Sequence, residues 1–327
     1  MFRSVSSFGP RIHAAMPSAV VALVVAAASV GCSEEEPAPA PETGSVPYEF
    51  VSLDSGGHSA FVTNAVAQER IRAFVGSSGA PTTGKVTPVS TTLALDGATV
   101  PVEVQVYVPD GASGPTDAVV LFHGTIESAT AKPQDGAAKY LEAMRGAVKV
   151  SDKVLVAVAY PQDAIPLANQ TAFGDVGGLL FGDNILHARA AVAWVRDGLP
   201  SWLATAAPQA ALGRTFLFGH SQGAYLAHRL NALVTTDGVI ANAPGPIDLL
   251  DRCRQDEEGP NDNITCNKLE KAVGSTTTNP EAYASRSLLQ FLEGSRATAL
   301  YLQAVDDTAY QVDRMREFET AFRAANP

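Results

Sequence analysis

Positive charge is in short supply in this 327-residue sequence, which has 23 Lys and Arg against 34 Asp and Glu. A chain with a net charge of −11 has no general attraction to phosphate backbones, so nucleic acid is not an expected partner. Internal repeats are absent as well. The composition, 46% hydrophobic and 17% charged, is ordinary for a globular protein, and this length allows one large α/β domain with its own core.

The apolar run at the N-terminus is too short for a typical transmembrane helix. It covers residues 20–30, whereas a bilayer requires about 20 apolar residues. The run follows a basic start and precedes small residues and Cys32. This order predicts a signal peptide over residues 1–31.

The end of that segment, Ser29-Val30-Gly31-Cys32, resembles the lipobox of bacterial lipoproteins, although Ser29 replaces the usual leucine. The resemblance implies a lipid on Cys32 and a place in a bacterial cell envelope, periplasmic or surface-facing. Plain secretion with an unrelated cysteine is the alternative. Residues 32–49 are acidic and proline-rich, which predicts an extended tether between the membrane anchor and a domain over residues 50–327.

Cysteine is scarce: only Cys253 and Cys266 remain after Cys32. Export to an oxidising compartment predicts a disulfide between these two. The polar segment between them lacks the alternating carboxylates of an EF-hand loop, so no metal is expected there. Residues 79–85 have the spacing of a P-loop, but Val86 stands where a Ser or Thr should bind magnesium. Neither a metal nor a cofactor is therefore predicted.

Buried strands and amphipathic helices alternate from about residue 90 onward. An alternating stretch around Asp96-Gly97 predicts a β-hairpin. Continuous apolar runs predict buried parallel strands over 118–122, 153–160, 215–218, 238–241 and 299–305. Helical periodicity covers 137–148, 185–195, 222–233 and 314–325. The pattern predicts a mostly parallel α/β sheet covered on both faces, with ligands at the carboxyl ends of the strands.

The strongest motif follows the strand over 215–218. It is Gly219-His220-Ser221-Gln222-Gly223, and a helical pattern begins directly after it. G-x-S-x-G between a buried strand and a helix is the nucleophile elbow, in which small flanking residues allow a sharp turn and the serine projects over the sheet. We therefore predict Ser221 as a nucleophile and the Gln222 amide as an oxyanion donor. The alternative is an ordinary tight turn.

A second motif ends the strand over 118–122. His123-Gly124-Thr125 resembles the His-Gly oxyanion loop of α/β-hydrolases. The resemblance implies an α/β-hydrolase fold and gives the Thr125 amide the role of second oxyanion donor. His123 itself is interpreted as structural. The branch that the sequence resembles is that of the prolyl oligopeptidases and dienelactone hydrolases, although no propeller precedes the domain, which favours an esterase.

The same resemblance implies a catalytic acid after a late strand. The register of Gln303-Ala304-Val305-Asp306-Asp307 gives that role to Asp307, with Asp306 as the near alternative. The His and Gly of the family's turn are missing here, and Tyr310 replaces its valine.

A catalytic histidine is lacking where the fold requires one, because no histidine follows Asp307. Family members continue with another strand, a histidine loop and a helix. The sequence therefore predicts a domain that lacks its last strand and helix and leaves a strand edge unpaired. His220 is expected to point away from Ser221, and His228 lies two turns along the helix, too far to reach back to Ser221.

Two functions follow from these motifs. The first is a serine hydrolase, of the carboxylesterase or lipase kind, that acts on a small ester or peptide-like substrate through Ser221. The second is a non-catalytic lipoprotein that uses the fold as a binding surface, which the missing histidine favours. Residues 177–181 and 244–283 are expected to form parts of the pocket.

Overall fold

The computed structural model describes residues 46–126, 128, 130–162, 164–173, 182–259 and 262–327. The predicted signal peptide, Cys32, most of the tether and the predicted pocket segment 177–181 lie outside these residues. Residues Thr43–Pro327 form one compact unit. In the described ranges, no helix combines the length and apolar character needed to span a bilayer.

The described residues contain eight strands and ten α-helices. The strands are β1 (Tyr48–Leu53), β2 (Gly84–Leu95), β3 (Ala98–Pro109), β4 (Gly114–Phe122), β5 (Val154–Ala159), β6 (Ala210–His220), β7 (Gly238–Asn242) and β8 (Ala299–Ala304). The helices are α1 (Ala60–Thr63), α2 (Ala65–Val75), α3 (Pro133–Gly146), α4 (Ile185–Asp197), α5 (Leu199–Ala206), α6 (Gln222–Leu233), α7 (Leu249–Glu258), α8 (Ile264–Val273), α9 (Pro280–Ala284) and α10 (Ala309–Ala325).

All eight strands form one sheet in the order β1-β8-β7-β6-β4-β5-β3-β2. The pairs β2–β3 and β3–β5 are antiparallel, and the other neighbouring pairs are parallel. The hairpin turns at Asp96 and Gly97, which both have positive φ as a two-residue hairpin loop of type I′ requires. The predicted α/β-hydrolase architecture, a mostly parallel sheet with an N-terminal antiparallel hairpin, is confirmed.

Helices cover the sheet on both faces because its central strands are apolar on both sides. In β4, Ala118, Val120 and Phe122 face the layer that contains α4, α5, α6 and α10. The intervening Val119 and Leu121 face the layer of α1, α2 and α3. All five side chains are fully buried, as the continuous apolar run predicts.

The expectation of an unpaired edge at β8 is wrong. Strand β1 lies parallel to β8, with Tyr48 opposite Ala299 and Leu53 opposite Ala304. After β8, the only element in the described residues is α10. The N-terminal β1, in a region whose sequence pattern is weak, therefore occupies the sheet position that the family resemblance assigns to a strand after β8.

Candidate active site

Ser221 lies between β6 and α6 in a left-handed backbone conformation, with φ 54° and ψ −120°. Its N–H donates to the Asn242 carbonyl at 3.0 Å, and its own carbonyl accepts from the Ala224 and Tyr225 N–H groups. Such strain in a non-glycine residue costs on the order of 1–3 kcal/mol and persists only where the surroundings enforce it. The turn thus has the sharp, strained geometry of a nucleophile elbow.

The glycines on either side of Ser221 make this turn sterically possible. A Cβ on Gly219 would lie 2.1 Å from the Gly223 carbonyl oxygen. A Cβ on Gly223 would lie 2.1 Å from the Phe122 carbonyl oxygen, at the end of β4. Both contacts are with backbone atoms, so no side-chain movement can relieve them. The spacing of the motif therefore has a direct packing cause.

Thr125 and Gln222, the predicted oxyanion donors, lie side by side. The Thr125 hydroxyl donates to the Gln222 side-chain oxygen at 3.2 Å. Gln222 begins α6, where the first N–H groups have no partner within the helix. Gly124 allows close approach of the β4 loop, because a Cβ there would lie 3.2 Å from the Cβ of Ser221. The three positions Thr125, Ser221 and Gln222 line one cavity.

Asp307 follows β8 at the carboxyl end of the sheet, and its side chain is only 2% exposed. Its carboxylate accepts a hydrogen bond from Gln303 Nε2 at 2.9 Å and another from the Thr308 N–H at 2.7 Å. Burial by itself would raise the pKa of Asp307, but the hydrogen bonds from His58 and Gln303 and the charge of His58 bring the pKa below its ordinary value. Asp307 is therefore held as a carboxylate.

His58 is the histidine that contacts this acid. Its Nδ1 lies 2.9 Å from Asp307 Oδ2, and its side chain is 44% exposed and lines the same cavity as Ser221. His58 is carried by the loop after β1, which the pairing of β1 with β8 brings beside Asp307. A hydrogen bond to a carboxylate requires the proton on Nδ1, which leaves Nε2 as an acceptor in the neutral ring.

Asp306, the alternative acid, holds the loop rather than the imidazole. Its two carboxylate oxygens accept hydrogen bonds from the backbone N–H groups of Gly56 and Gly57, at 3.1 and 2.7 Å. Both glycines have positive φ. The adjacent carboxylates therefore act on the same loop in different ways, Asp306 on its backbone and Asp307 on the side chain of His58.

The carbonyl of His58 is fixed from the opposite side. It accepts hydrogen bonds from His220 Nε2 at 2.8 Å and from Asn242 Nδ2 at 3.3 Å. His220 Nδ1 contacts the Tyr140 hydroxyl, and because Nε2 donates, this nitrogen is the acceptor. Burial and the neighbouring charge of His58 lower the pKa of His220 to about 3, so it remains a neutral donor. His220 is not among the residues that line the cavity with Ser221.

The remaining described histidines are not among the residues that line this cavity. His123 is fully buried against Tyr160, with ring centroids 4.4 Å apart, and burial lowers its pKa to about 4. His228 is buried between the Tyr301 hydroxyl and the Phe291 carbonyl, and its pKa is likewise lowered by burial to about 4. Both are structural in character, as the sequence indicates.

The cavity above Ser221 has a volume of about 550 Å³. That is within the range of roughly 300–1,000 Å³ that small-molecule sites occupy. Part of its wall comes from the predicted pocket segment 244–283, through Pro246, Leu249, Arg252, Asn263 and Thr265. No group of three His, Cys, Asp or Glu that could hold a metal occurs in the ranges described above.

A disulfide joins the two helices of this wall. Cys253 on α7 and Cys266 on α8 are bonded, as the sequence predicts, with their Cα atoms 5.2 Å apart. Asp248 caps α7 by accepting from the Asp251 N–H, and Asn263 caps α8 by accepting from the Thr265 and Cys266 N–H groups. The polar segment between the cysteines thus includes the junction between two short helices, which the disulfide links.

His58 is not predicted from the sequence, because the family order places the histidine after the acid. The available signals were weak: a six-residue strand with irregular alternation, then Gly56-Gly57 before the histidine. Pairing between β1 and β8, about 250 residues apart, has no local signature. Only the folded sheet brings His58 and Asp307 together.

Comparisons with known proteins do not assign a family to this chain. No family model matches the chain, and no curated protein matches it. Among solved structures, an esterase of Pyrococcus furiosus is 16% identical, with 88% of this chain and 87% of that one covered and a TM-score of 0.47. A hyperthermophilic esterase of Pyrobaculum calidifontis is 17% identical, with 80% and 78% covered and a TM-score of 0.49.

An acylaminoacyl peptidase of Pyrococcus horikoshii is 13% identical over 73% of this chain and 35% of that one, with a TM-score of 0.44. At these identities the similarity concerns the fold alone, and no residue role is transferred from these proteins. The strand order, the elbow and the loops at the carboxyl ends of the strands define an α/β-hydrolase fold.

Proposed function

We propose that this protein is a serine hydrolase, of the carboxylesterase kind, in which Ser221, His58 and Asp307 form the catalytic triad. The observation that carries the proposal is the 2.9 Å contact between His58 Nδ1 and Asp307 Oδ2, in two residues that line the same cavity as Ser221. It offers an imidazole for the role that no histidine after the acid can fill.

In the proposed reaction, Ser221 Oγ attacks the ester carbonyl while His58 Nε2 takes the hydroxyl proton. The tetrahedral intermediate carries its negative charge on the former carbonyl oxygen, and the N–H groups of Thr125 and Gln222 stabilise it. When the bond to the alcohol breaks, His58 gives the proton to the leaving oxygen. Water then attacks the acyl-serine by the same route and releases the acid, with Asp307 stabilising the imidazolium throughout.

The order of the triad along this chain is His58, Ser221, Asp307, whereas α/β-hydrolases usually have serine, acid, histidine. The parallel pairing of β1 with β8 supports this interpretation, since β1, the His58 loop and helix α2 follow one another as the family's last strand, histidine loop and last helix do. We propose that this C-terminal unit of the fold lies at the N-terminal end of the domain here.

Labelling with a fluorophosphonate and hydrolysis of p-nitrophenyl butyrate test the triad. Wild-type protein should be labelled at Ser221 and should hydrolyse the ester, and Ser221→Ala should lose both. His58→Ala should lower kcat by about 10⁴- to 10⁶-fold, because the general base is removed. Ser59→Ala is the matched control, since the Ser59 side chain is exposed and makes no capping bond. Equal activity of His58→Ala and Ser59→Ala would overturn the assignment of His58.

The alternative of a non-catalytic binding lipoprotein depended on a missing histidine. His58 beside Asp307 removes that argument, so we favour the hydrolase. Ester turnover that is absent from wild-type protein, together with an unlabelled Ser221, would restore the binding module.

We also propose that the mature protein begins at a lipidated Cys32 and is held in the cell envelope. The order of basic residues, apolar run, small residues and cysteine supports this, as does the tether that follows. Intact-mass measurement of the exported protein should find a lipid-modified Cys32 at the N-terminus. A different N-terminal residue would contradict the proposal.

A further inference from the structure

The cavity above Ser221 contains one arginine, Arg252, which the proposed chemistry does not use. Arg252 lies on α7, one residue before the disulfide-bonded Cys253, and lines the cavity together with Ser221, His58 and Asp307. It also lines an adjoining cavity of about 590 Å³, of which Asn263 is a second shared wall residue. Arg252 therefore borders both cavities.

Arg252 has no carboxylate partner in the described part of the chain, where the recorded ion pairs involve other cations. The acids within about one turn of Arg252 along α7 form no ion pair with it. Asp256 is buried and accepts from the Asn263 N–H through Oδ1 at 3.0 Å. Asp248 accepts from the Asp251 N–H at 3.0 Å as the helix cap. Asp251 lies 3.6 Å from Arg314 and accepts from Gln255 at 2.8 Å.

The side chain of Arg252 is nevertheless supported. Its guanidinium carbon lies 5.5 Å from the centre of the Tyr310 ring, and the Tyr310 hydroxyl donates to the Asp248 carbonyl at 2.7 Å. Pro246 and Leu249 supply apolar surface in the same cavity. The same cavity thus contains Ser221, an apolar wall and a guanidinium group that is held in place but has no carboxylate partner.

Two acids, Asp307 and Asp262, line the same cavities as Arg252 and would repel an anion there unless their charge is compensated. Asp307 lines the first cavity, but its carboxylate is engaged by His58, Gln303 and Thr308. Asp262 lines the second cavity, beyond Arg252. Of the two residues Arg252 and Asp307 that bring charge to the first cavity, only Arg252 therefore has no ionic partner, and Asp262 opposes anions that extend into the second cavity.

We propose that Arg252 binds an anionic group of the substrate, so that the hydrolase acts on esters that carry a carboxylate. The inference rests on the proposed function, since it concerns the substrate of the Ser221 site. Guanidinium groups bind carboxylates through paired, charge-assisted hydrogen bonds, which give both affinity and orientation. The carboxylate can belong to the acyl part or to the alcohol part of the ester.

Matched pairs of esters test the proposal and distinguish these two sources. Monomethyl adipate and methyl hexanoate differ in a carboxylate on the acyl side, and acetoxybutanoate and butyl acetate differ in one on the alcohol side. We expect kcat/KM to favour the charged member of at least one pair by about tenfold or more, through KM. High salt should reduce this preference.

Variants of α7 identify the residue responsible. Arg252→Met should abolish the preference for the charged member of each pair. Arg254→Met is the matched control, because Arg254 is exposed on the same helix and lies outside the lining of both cavities. Asp262→Asn should increase the preference. The proposal is wrong if Arg252→Met and Arg254→Met behave alike, or if neither charged ester is preferred.

A binding experiment separates this proposal from the catalytic one. Ser221→Ala protein should bind adipate, measured by calorimetry, and the added Arg252→Met substitution should remove that binding. Adipate binding that depends on Arg252, in a protein whose wild-type Ser221 is not labelled by a fluorophosphonate, would support the anion site and overturn the hydrolase. Labelling of Ser221, with neither adipate binding nor a preference for charged esters, would support the hydrolase and overturn the anion site.

Discussion

Ser221 and His58 reach the same cavity by opposite routes. Ser221 is fixed locally: strand, serine and helix are consecutive, and the backbone contacts of Gly219 and Gly223 leave one way to make the turn. His58 is fixed by distant groups, because Asp306, Asp307, His220 and Asn242 hold its loop from three other strands. The elbow depends on steric exclusion, and the histidine loop depends on hydrogen bonds.

This difference predicts different costs of substitution. Gly223→Ala should damage the elbow most, since its Cβ would lie 2.1 Å from the Phe122 carbonyl oxygen. We expect a loss of about 4 kcal/mol or more in the free energy of unfolding, or no folded protein. Gly146→Ala is the control, because a Cβ at Gly146 meets nothing within 4 Å. Chemical denaturation of both variants checks this, and similar unfolding midpoints would refute the steric account.

Removal of the disulfide between α7 and α8 tests whether this wall of the cavity affects only substrate binding or also the positions of Ser221 and His58. Cys253→Ser with Cys266→Ser removes a link across 13 residues and should lower stability by about 3 kcal/mol. Because α7 and α8 line the cavity but hold neither Ser221 nor His58, KM should rise while kcat changes little. Thermal unfolding and steady-state kinetics measure the two effects. A fall in kcat at unchanged KM would show that the wall also positions the triad.

Asp306→Ala should affect chemistry more than stability. It removes the acceptor for Gly56 and Gly57 and leaves Asp307 in place, so the histidine loop loses one anchor. Groups that orient a catalytic residue are typically worth about 10- to 100-fold, which we expect in kcat and not in KM. Asp313→Asn, on the exposed face of α10, is the control.

An NMR measurement adds a second readout for that variant. Since Asp306 holds the backbone of the loop that carries His58, the ring resonances of His58 should differ between Asp306→Ala and wild type. Unchanged His58 resonances together with unchanged kcat would mean that Asp306 has no part in positioning.

Acid should destabilise the fold. The loss of stability should be small near neutrality and should grow as the pH falls. Burial lowers the pKa values of His123 and His228 to about 4 and that of His220 to about 3, from 6.5. Below pH 6.5 the unfolded chain takes up protons that these folded sites refuse. Each histidine therefore costs about 1.4 kcal/mol per pH unit between pH 6.5 and its folded pKa.

The variant His228→Gln checks this sign. It removes one of the three titrations, far from the triad, so its free energy of unfolding should depend less steeply on pH between 6.5 and 4 than that of wild type. Urea denaturation at several pH values measures the slope. An equal or steeper slope would contradict the assignment of His228 as a buried neutral group.

Most of the sheet was predictable because its signals are local. Apolar runs of four to eight residues indicated β4, β5, β7 and β8, and the Asp96-Gly97 turn indicated the hairpin. Helix α6 begins and ends where its periodicity predicts. Register with a related turn predicts Asp307 rather than Asp306 as the acid; that role stays a prediction, and Asp307 is the carboxylate of the two that contacts the His58 ring.

The sequence by itself determined the sharp turn at Ser221, the disulfide pairing and the alternation of strands and helices, since each depends on residues that are neighbours or on compartment chemistry. Only the tertiary structure decided which histidine meets Asp307 and what pairs with the edge of β8. Both follow from the pairing of β1 with β8, whose hydrogen bonds join backbone groups about 250 residues apart. Backbone pairing of this kind depends on the sheet edge left free by the rest of the fold, and no local pattern of side chains encodes it.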